Sequence, residues 1–193
     1  EVRLGIHCHN DAGVAVANSL AAIRAGARQV QGTINGLGER CGNADLITLI
    51  PNLMLKSGYR TSISEDNLPR LMTLSRILDE RLNRAPNAHA PYVGEAAFAH
   101  KGGLHASAAQ KDPRTYEHVP PEKVGNRRQY LISDQAGKSN MLARFAEFGI
   151  EIDVKDQRLD KLIAQVKERE YEGWAFDSAE ASFELLARRA LGE

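Results

Sequence analysis

At 193 residues, with 42% apolar and 26% charged side chains, the sequence has the composition of a globular protein able to bury a sizeable core in one domain or two small ones. Lysine plus arginine and aspartate plus glutamate balance at 25 each, so composition makes no case for nucleic acid or a membrane surface as partner, and the longest apolar runs are far too short to span a bilayer. Two cysteines, Cys8 and Cys41, make no disulfide scaffold, and a cytoplasmic setting is expected.

Residues 2–6 alternate Val2, Leu4 and Ile6 with Arg3 and Gly5 and read as a short strand. The strand is already under way at the first residue, with neither an initiator Met nor a targeting peptide ahead of it, so an excerpt of a longer chain is expected. A polar turn, His7-Cys8-His9-Asn10-Asp11, leads into an Ala-rich helical pattern over 14–25 that Gly26 closes. Residues 28–34 form a second strand candidate. A glycine-rich loop over 35–42 follows, then a helix over 43–56, with Pro51 and Asn52 predicting a kink inside it. The order strand, loop, helix, repeated twice, gathers polar residues after each strand's C-terminal end, where α/β folds build ligand sites.

The pattern changes near Thr61. Ser64 is a good N-cap, with Glu65 and Asp66 in the first turn, and Leu68, Leu71, Met72, Leu78 and Leu82 recur at helical spacing. Prolines and glycines over 85–104 predict a long loop. A short helix over 105–110, a turn through Pro120-Pro121, a strand over 129–132 and helices over 139–148, 156–171 and 178–190 complete the chain. The sequence therefore divides into a βαβα piece, 1–60, and a mainly helical remainder, 61–193.

Two motifs carry chemistry. On an extended backbone residues i and i+2 face the same side, so His7 and His9 can present two imidazoles to one point while Cys8 faces away. That is half of a divalent-metal site; the alternative is two polar histidines at a strand end. Gly36-Leu37-Gly38-Glu39-Arg40-Cys41-Gly42-Asn43 places three glycines ahead of a helix N-terminus, which suits close backbone approach to an anionic ligand or, equally, an ordinary turn capped by Asn43. Gly137-Lys138-Ser139 is not a phosphate loop, because Ile132 stands where that motif needs glycine.

His7-x-His9-Asn10-Asp11 followed by Asn35-Gly36-x-Gly38-Glu39-Arg40-x-Gly42-Asn43 resembles the signature of the isopropylmalate, homocitrate and citramalate synthases. These belong to the wider group of metal-dependent TIM-barrel enzymes that includes hydroxymethylglutaryl-CoA lyase. The resemblance implies an α/β fold: the last two βα units of a (β/α)8 barrel, followed by a mainly helical α+β subdomain region. It implies His7, His9 and Asn43 as metal ligands, for zinc, manganese, magnesium or cobalt. His100-Lys101-Gly102-Gly103-Leu104-His105 and Thr115-Tyr116-Glu117-His118 resemble the segment beyond the barrel whose final histidine is catalytic and whose tyrosine reaches an active site, typically the partner subunit's. Lyases of the wider group lack that segment. The stretch from Pro121 to Asn140 and the run Glu180-Ala181-Ser182-Phe183-Glu184-Leu185-Leu186 are most similar to the citramalate-synthase branch.

That branch implies condensation of acetyl-CoA with pyruvate to give citramalate and CoA, a step of isoleucine biosynthesis, in a homodimer. His105 is then the candidate base, Tyr116 an orienting or proton-donating group, and Glu39 a residue that holds the base or a water. The first-strand aspartate and arginine that the family uses lie outside this sequence, as does a regulatory domain, so these residues alone are expected to be inactive. The alternatives are an isopropylmalate or homocitrate synthase, or a non-catalytic dimerisation fragment.

Overall fold

The computed structural model describes residues 2–177 and 179–192. Spatial proximity divides the chain into two compact units, Glu1–Phe98 with Val119–Arg127 and Ala99–His118 with Arg128–Glu193, a grouping separate from the change of pattern near residue 60. Among the described residues there are four short strands and seven α-helices, an α/β composition.

In the first unit, β1 (Gly5–His7) and β2 (Gln29–Gln31) pair in parallel, with Gly5 opposite Gln29 and His7 opposite Gln31. The crossover between them is α1 (Ala15–Arg24), as a parallel pair requires. β1 thus sits further along the chain than the 2–6 alternation suggested: pairing with β2 selects Gly5–His7, and Val2 and Leu4 remain 89% and 62% exposed. β2 is shorter than the expected 28–34, because the chain turns into a 3-10 turn over Ile34–Gly36 in which Asn35 takes a φ of 56°. Asn35 is held there by its side chain, which donates to the Ser75 carbonyl and to Asp79 Oδ1 and accepts from Ser75 Oγ.

The helix expected from residue 43 begins later, as α2 (Leu46–Pro51). Its cap is Asp45, which accepts from Ile47 N at 3.0 Å and Thr48 Oγ1 at 2.7 Å. Burial pushes the Asp45 carboxyl up, against those hydrogen bonds. The kink expected at Pro51-Asn52 is a passage into π-helix over Asn52–Lys56: proline has no N–H for the i−4 carbonyl, and Ser57 N reaches back five residues to Asn52 O.

A 3-10 turn, Glu65–Arg70, leads into α3 (Leu71–Arg81). Ser64 precedes that turn with extended backbone, but its hydroxyl accepts from the Asn67 side chain instead of capping a backbone N–H. Ile47, Leu68, Leu71, Tyr92, Val93, Phe98, Val119 and Val124 form the core of this unit, and Ile23, Leu49 and Leu53 a smaller cluster. The expected 85–104 loop is partly structured, with a 3-10 turn at Glu95–Phe98 and then β3 (Ala99–His100), the first element of the second unit.

In the second unit β3 pairs in parallel with β4 (Gln129–Tyr130). α4 (Gly103–Lys111), α5 (Lys138–Glu147), α6 (Gln157–Tyr171) and α7 (Glu180–Leu191) supply the rest. The start expected for the last helix, residue 178, lies outside the described residues. Phe145, Phe183, Met141, Leu159, Leu162 and Val166 are almost wholly buried in one core, with the Phe145 and Phe183 rings stacked 6.2 Å apart. Asn140, fully buried, donates to the carbonyls of His100, Lys101 and Leu131 at 3.1–3.2 Å and so joins β3, β4 and the start of α5. No helix among the described residues is long and apolar enough to cross a membrane.

Candidate metal centre and the His105–Tyr116 pair

The first unit brings the two N-terminal motifs together through backbone pairing. His9 and Asn43 face each other in an antiparallel bridge, flanked by Asn10 N→Gly42 O at 2.8 Å and Ala44 N→Cys8 O at 3.0 Å. That pattern makes 9 and 43 a non-hydrogen-bonded pair, the position at which opposite side chains approach most closely and share one face. His7, two residues before His9, adds its ring to that face, the two ring centroids 5.2 Å apart and nearly perpendicular.

The loop folds tightly enough for this only because of its glycines. A Cβ at Gly42, whose φ is +84°, would meet Gly36 O at 1.9 Å, and one at Gly38 would meet Asn43 Nδ2 at 2.3 Å. The glycines therefore fold the loop on itself. Asp11 and Arg40 tie the two motifs at the surface in a forked ion pair, with N–O distances of 2.9–3.1 Å. The Arg40 guanidinium holds the Asp11 carboxyl below its ordinary range. Asn10 Oδ1 accepts from Ala15 N at the start of α1, so the His7–Asp11 turn is anchored on both sides.

The donor set fits a divalent cation. Asn43 Nδ2 is used, donating to Leu37 O at 3.2 Å, whereas Asn43 Oδ1 is the one buried side-chain oxygen or nitrogen among the described residues without a hydrogen-bond partner. A buried amide oxygen left unpaired is costly unless something accepts its lone pairs, and two neutral imidazoles on the same face are suited to the same ion. Among the described residues no cluster of three or more His, Cys, Asp or Glu that could hold a metal is present, so His7, His9 and Asn43 are a candidate set that would rely on an amide and on further ligands. Cys8 is half-buried and Cys41 exposed; both are free thiols. Glu39 is exposed, 3.7 Å from Arg40 and otherwise in solvent.

The second unit brings together the other two expected site residues. His105, in the first turn of α4, and Tyr116, just after a 3-10 turn at Pro113–Thr115, have ring centroids 4.3 Å apart and 32° from parallel. Both are exposed at the surface. Behind them lies a cluster that sequence patterning did not single out. His100 Nε2 lies 3.1 Å from Glu117 Oε1, and Arg128 donates to both Glu117 oxygens through Nε and an Nη. The side chains of His100 and Glu117 are 8% and 3% exposed. Burial by itself would raise the Glu117 carboxyl, but the hydrogen bonds from Arg128 and His100, with their charges, outweigh it and hold it low. An ionised Glu117 accepts, so His100 donates from Nε2–H. No spacing rule links positions 100, 117 and 128; the parallel pairing of β3 with β4 brings His100 near Arg128, and the turn after Pro113 brings in Glu117.

A carboxylate depressed by folding contributes stability above its unfolded pKa, and that contribution is lost as the pH falls through the folded value. Acidification below the ordinary glutamate range is therefore expected to destabilise the protein in part through Glu117. Glu117→Gln should remove that part of the acid dependence, read as a shallower slope of denaturation midpoint against pH below the ordinary glutamate range. An unchanged slope would mean that Glu117 gains nothing from its partners on folding.

A family model described as HMGL-like matches residues 1–77, and one described as homocitrate synthase post-HMGL domain-like matches residues 92–173. The (R)-citramalate synthase of Synechocystis sp. is 54% identical over 99% of this chain and 35% of its own length. That of Aquifex aeolicus is 55% identical over 100% of this chain and 36% of its own. The chain belongs to the isopropylmalate, homocitrate and citramalate synthase family. The 2-isopropylmalate synthase of Methanocaldococcus jannaschii stands further away, at 40% identity over 86% of this chain and 32% of that protein. The chain thus spans about a third of the length of the curated relatives it matches. The HMGL-like match assigns the first unit's α/β pattern to a TIM-barrel family, whose synthases are generally dependent on a divalent metal.

Proposed function

We propose that this chain is part of an acyl-CoA condensing enzyme that joins acetyl-CoA to pyruvate, giving citramalate and CoA. The observation that carries the reading is the His105–Tyr116 ring contact, within the segment that sets condensing synthases apart from the lyases of the wider group. The identities of 54–55% to two citramalate synthases support pyruvate over bulkier 2-oxo acids.

In this reading residues 1–60 are the last two βα units of the barrel. The exposure of Val2 and Leu4, apolar residues just ahead of β1, supports further strands beside it in the whole protein. Residues 61–193 form the subdomain region, in a homodimer whose second copy receives Tyr116. His7, His9 and the free Asn43 Oδ1 hold the divalent cation, completed by ligands outside these residues. When bound, that cation supplies Lewis acidity to the 2-oxo acid's keto group.

His105 takes a proton from the acetyl methyl group, and the carbon so freed of its proton forms the new C–C bond to the keto carbon. Tyr116 orients the thioester or delivers a proton to the oxygen that becomes the tertiary hydroxyl. Water then cleaves the thioester, releasing CoA. Glu39 is assigned to holding a water or the base, reached from the surface of the glycine loop.

Thiol release by the full-length protein, supplied with acetyl-CoA and a panel of 2-oxo acids, tests this. Pyruvate is expected to lead branched and dicarboxylic 2-oxo acids by about 10–200-fold in kcat/KM, the range that one or two methylenes in a pocket provide. A lead by a branched acid would make the protein an isopropylmalate synthase, and a lead by a dicarboxylic acid a homocitrate synthase. No thiol release with any 2-oxo acid would leave only a non-catalytic dimerisation role.

A further inference from the structure

The buried cluster behind the His105–Tyr116 pair has no part in the chemistry above. It consists of a carboxylate, a guanidinium and an imidazole in low-dielectric surroundings, where ion pairs return little net stability relative to an apolar filling of the same volume. Its position is therefore more informative than its stability. His100 lies against two rings of the same unit: its centroid is 6.3 Å from that of Tyr116, edge-on, and 5.9 Å from that of Tyr130. Tyr116 in turn lies against His105. Glu117, His100, Tyr116 and His105 form one unbroken line of contacts, from a buried charge to an exposed pair.

The backbone that carries His100, Tyr116 and Glu117 is anchored. Leu131 N and Asn140 Nδ2 donate to the His100 carbonyl, and Tyr116 N and Glu117 N both donate to the Pro113 carbonyl. The orientation of the His100 ring is then set by its hydrogen bond to the Glu117 carboxylate, itself held by the Arg128 fork.

We propose that Glu117, clamped by Arg128, is a positioning residue: it fixes the His100 ring, which holds the Tyr116 phenol in register with His105. The inference rests on the assignment of His105 and Tyr116 to the reaction. It makes the cluster a support for the geometry of the pair, with no contact of its own to substrate.

The test uses the full-length protein. Glu117→Gln keeps shape and removes the charge that accepts from His100. It is expected to lower kcat about 10–100-fold, the scale of a misplacement near 1 Å, with KM for the 2-oxo acid unchanged, and Glu117→Asp is expected to recover part of the loss. In a Tyr116→Phe background the same substitution should cost less than about 2-fold, because groups that act as one unit are not additive. A wild-type kcat in Glu117→Gln, or a full loss repeated on top of Tyr116→Phe, overturns the proposal and leaves the cluster a structural ion pair. Wild-type turnover by Tyr116→Phe overturns the underlying assignment, and this inference with it. If Glu117→Gln does not fold, Arg128→Lys, which keeps the charge and loses the fork, goes through the same cycle with the same outcomes.

Discussion

Alanine at His105 in the full-length protein is expected to lower turnover by about 10²–10⁴-fold, the usual contribution of a positioned acid or base, with divalent-metal content unchanged. His105 is suited to the role by place as well as type. It stands in the first turn of α4, exposed, with its ring 4.3 Å from that of Tyr116, so substrate can reach it without the fold opening. The backbone beneath it is secured independently: Gly103 N donates to Gln135 O, and Ala106 N to Gly102 O. Truncating an exposed side chain there removes little packing, so the loss should appear in kcat with no change in melting temperature. Tyr116→Phe is the paired measurement. It keeps the ring against His105 and removes only the hydroxyl, so a fall in kcat would identify proton delivery or orientation by that oxygen. Turnover at wild-type level in both variants would remove the pair from the chemistry.

The second large effect is on metal affinity. Replacing both His7 and His9 by alanine is expected to weaken divalent-cation binding by more than about 100-fold, since even loss of an outer partner of a metal ligand costs 10–100-fold. Calorimetric titration with zinc and with manganese, double variant beside wild type, reads this directly. The folded state should tolerate the change, because both side chains are exposed and the pairing of β1 with β2 uses backbone groups alone. Asn43→Ala separates the amide from the imidazoles: it removes the unpartnered Oδ1 and the Nδ2 bond to Leu37 O, so affinity should fall by a smaller factor than with the two histidines gone. Binding retained at full strength in the double variant would remove these histidines as ligands.

Much of this was legible in the residues. Alternation and 3.6-residue periodicity placed α1, α3, α5 and α6 within a residue or so of their ends, except where α3 begins with a 3-10 turn, because each turns a regular apolar stripe toward a core. The i, i+2 spacing of His7 and His9 predicted a common face, and their rings share one. The pairing of the two motifs at their separation, and the segment around His105 and Tyr116, identified the family without any coordinates. Periodicity served less well at the strands. β1 through β4 run two or three residues each, too short for alternation to define, and their limits follow from which partner backbone lies beside them.

What the sequence by itself determined, then, is the set of chemical groups, the helices and the family. The tertiary structure alone decided which groups meet. The bridge that sets Asn43 opposite His9 joins residues 34 positions apart in two loops, each irregular by itself, and it is the same bridge that takes Asn43 from the helix-cap role and hands that role to Asp45. The unpartnered Asn43 Oδ1 is a fact of burial, invisible in a linear string. The same holds for Asn140 and for the His100, Glu117 and Arg128 cluster. Residues spread over 29 positions become one hydrogen-bonded group because β3 pairs with β4 and the turn after Pro113 sets Glu117 beside them, and a buried charge has to find its partner wherever the fold places one.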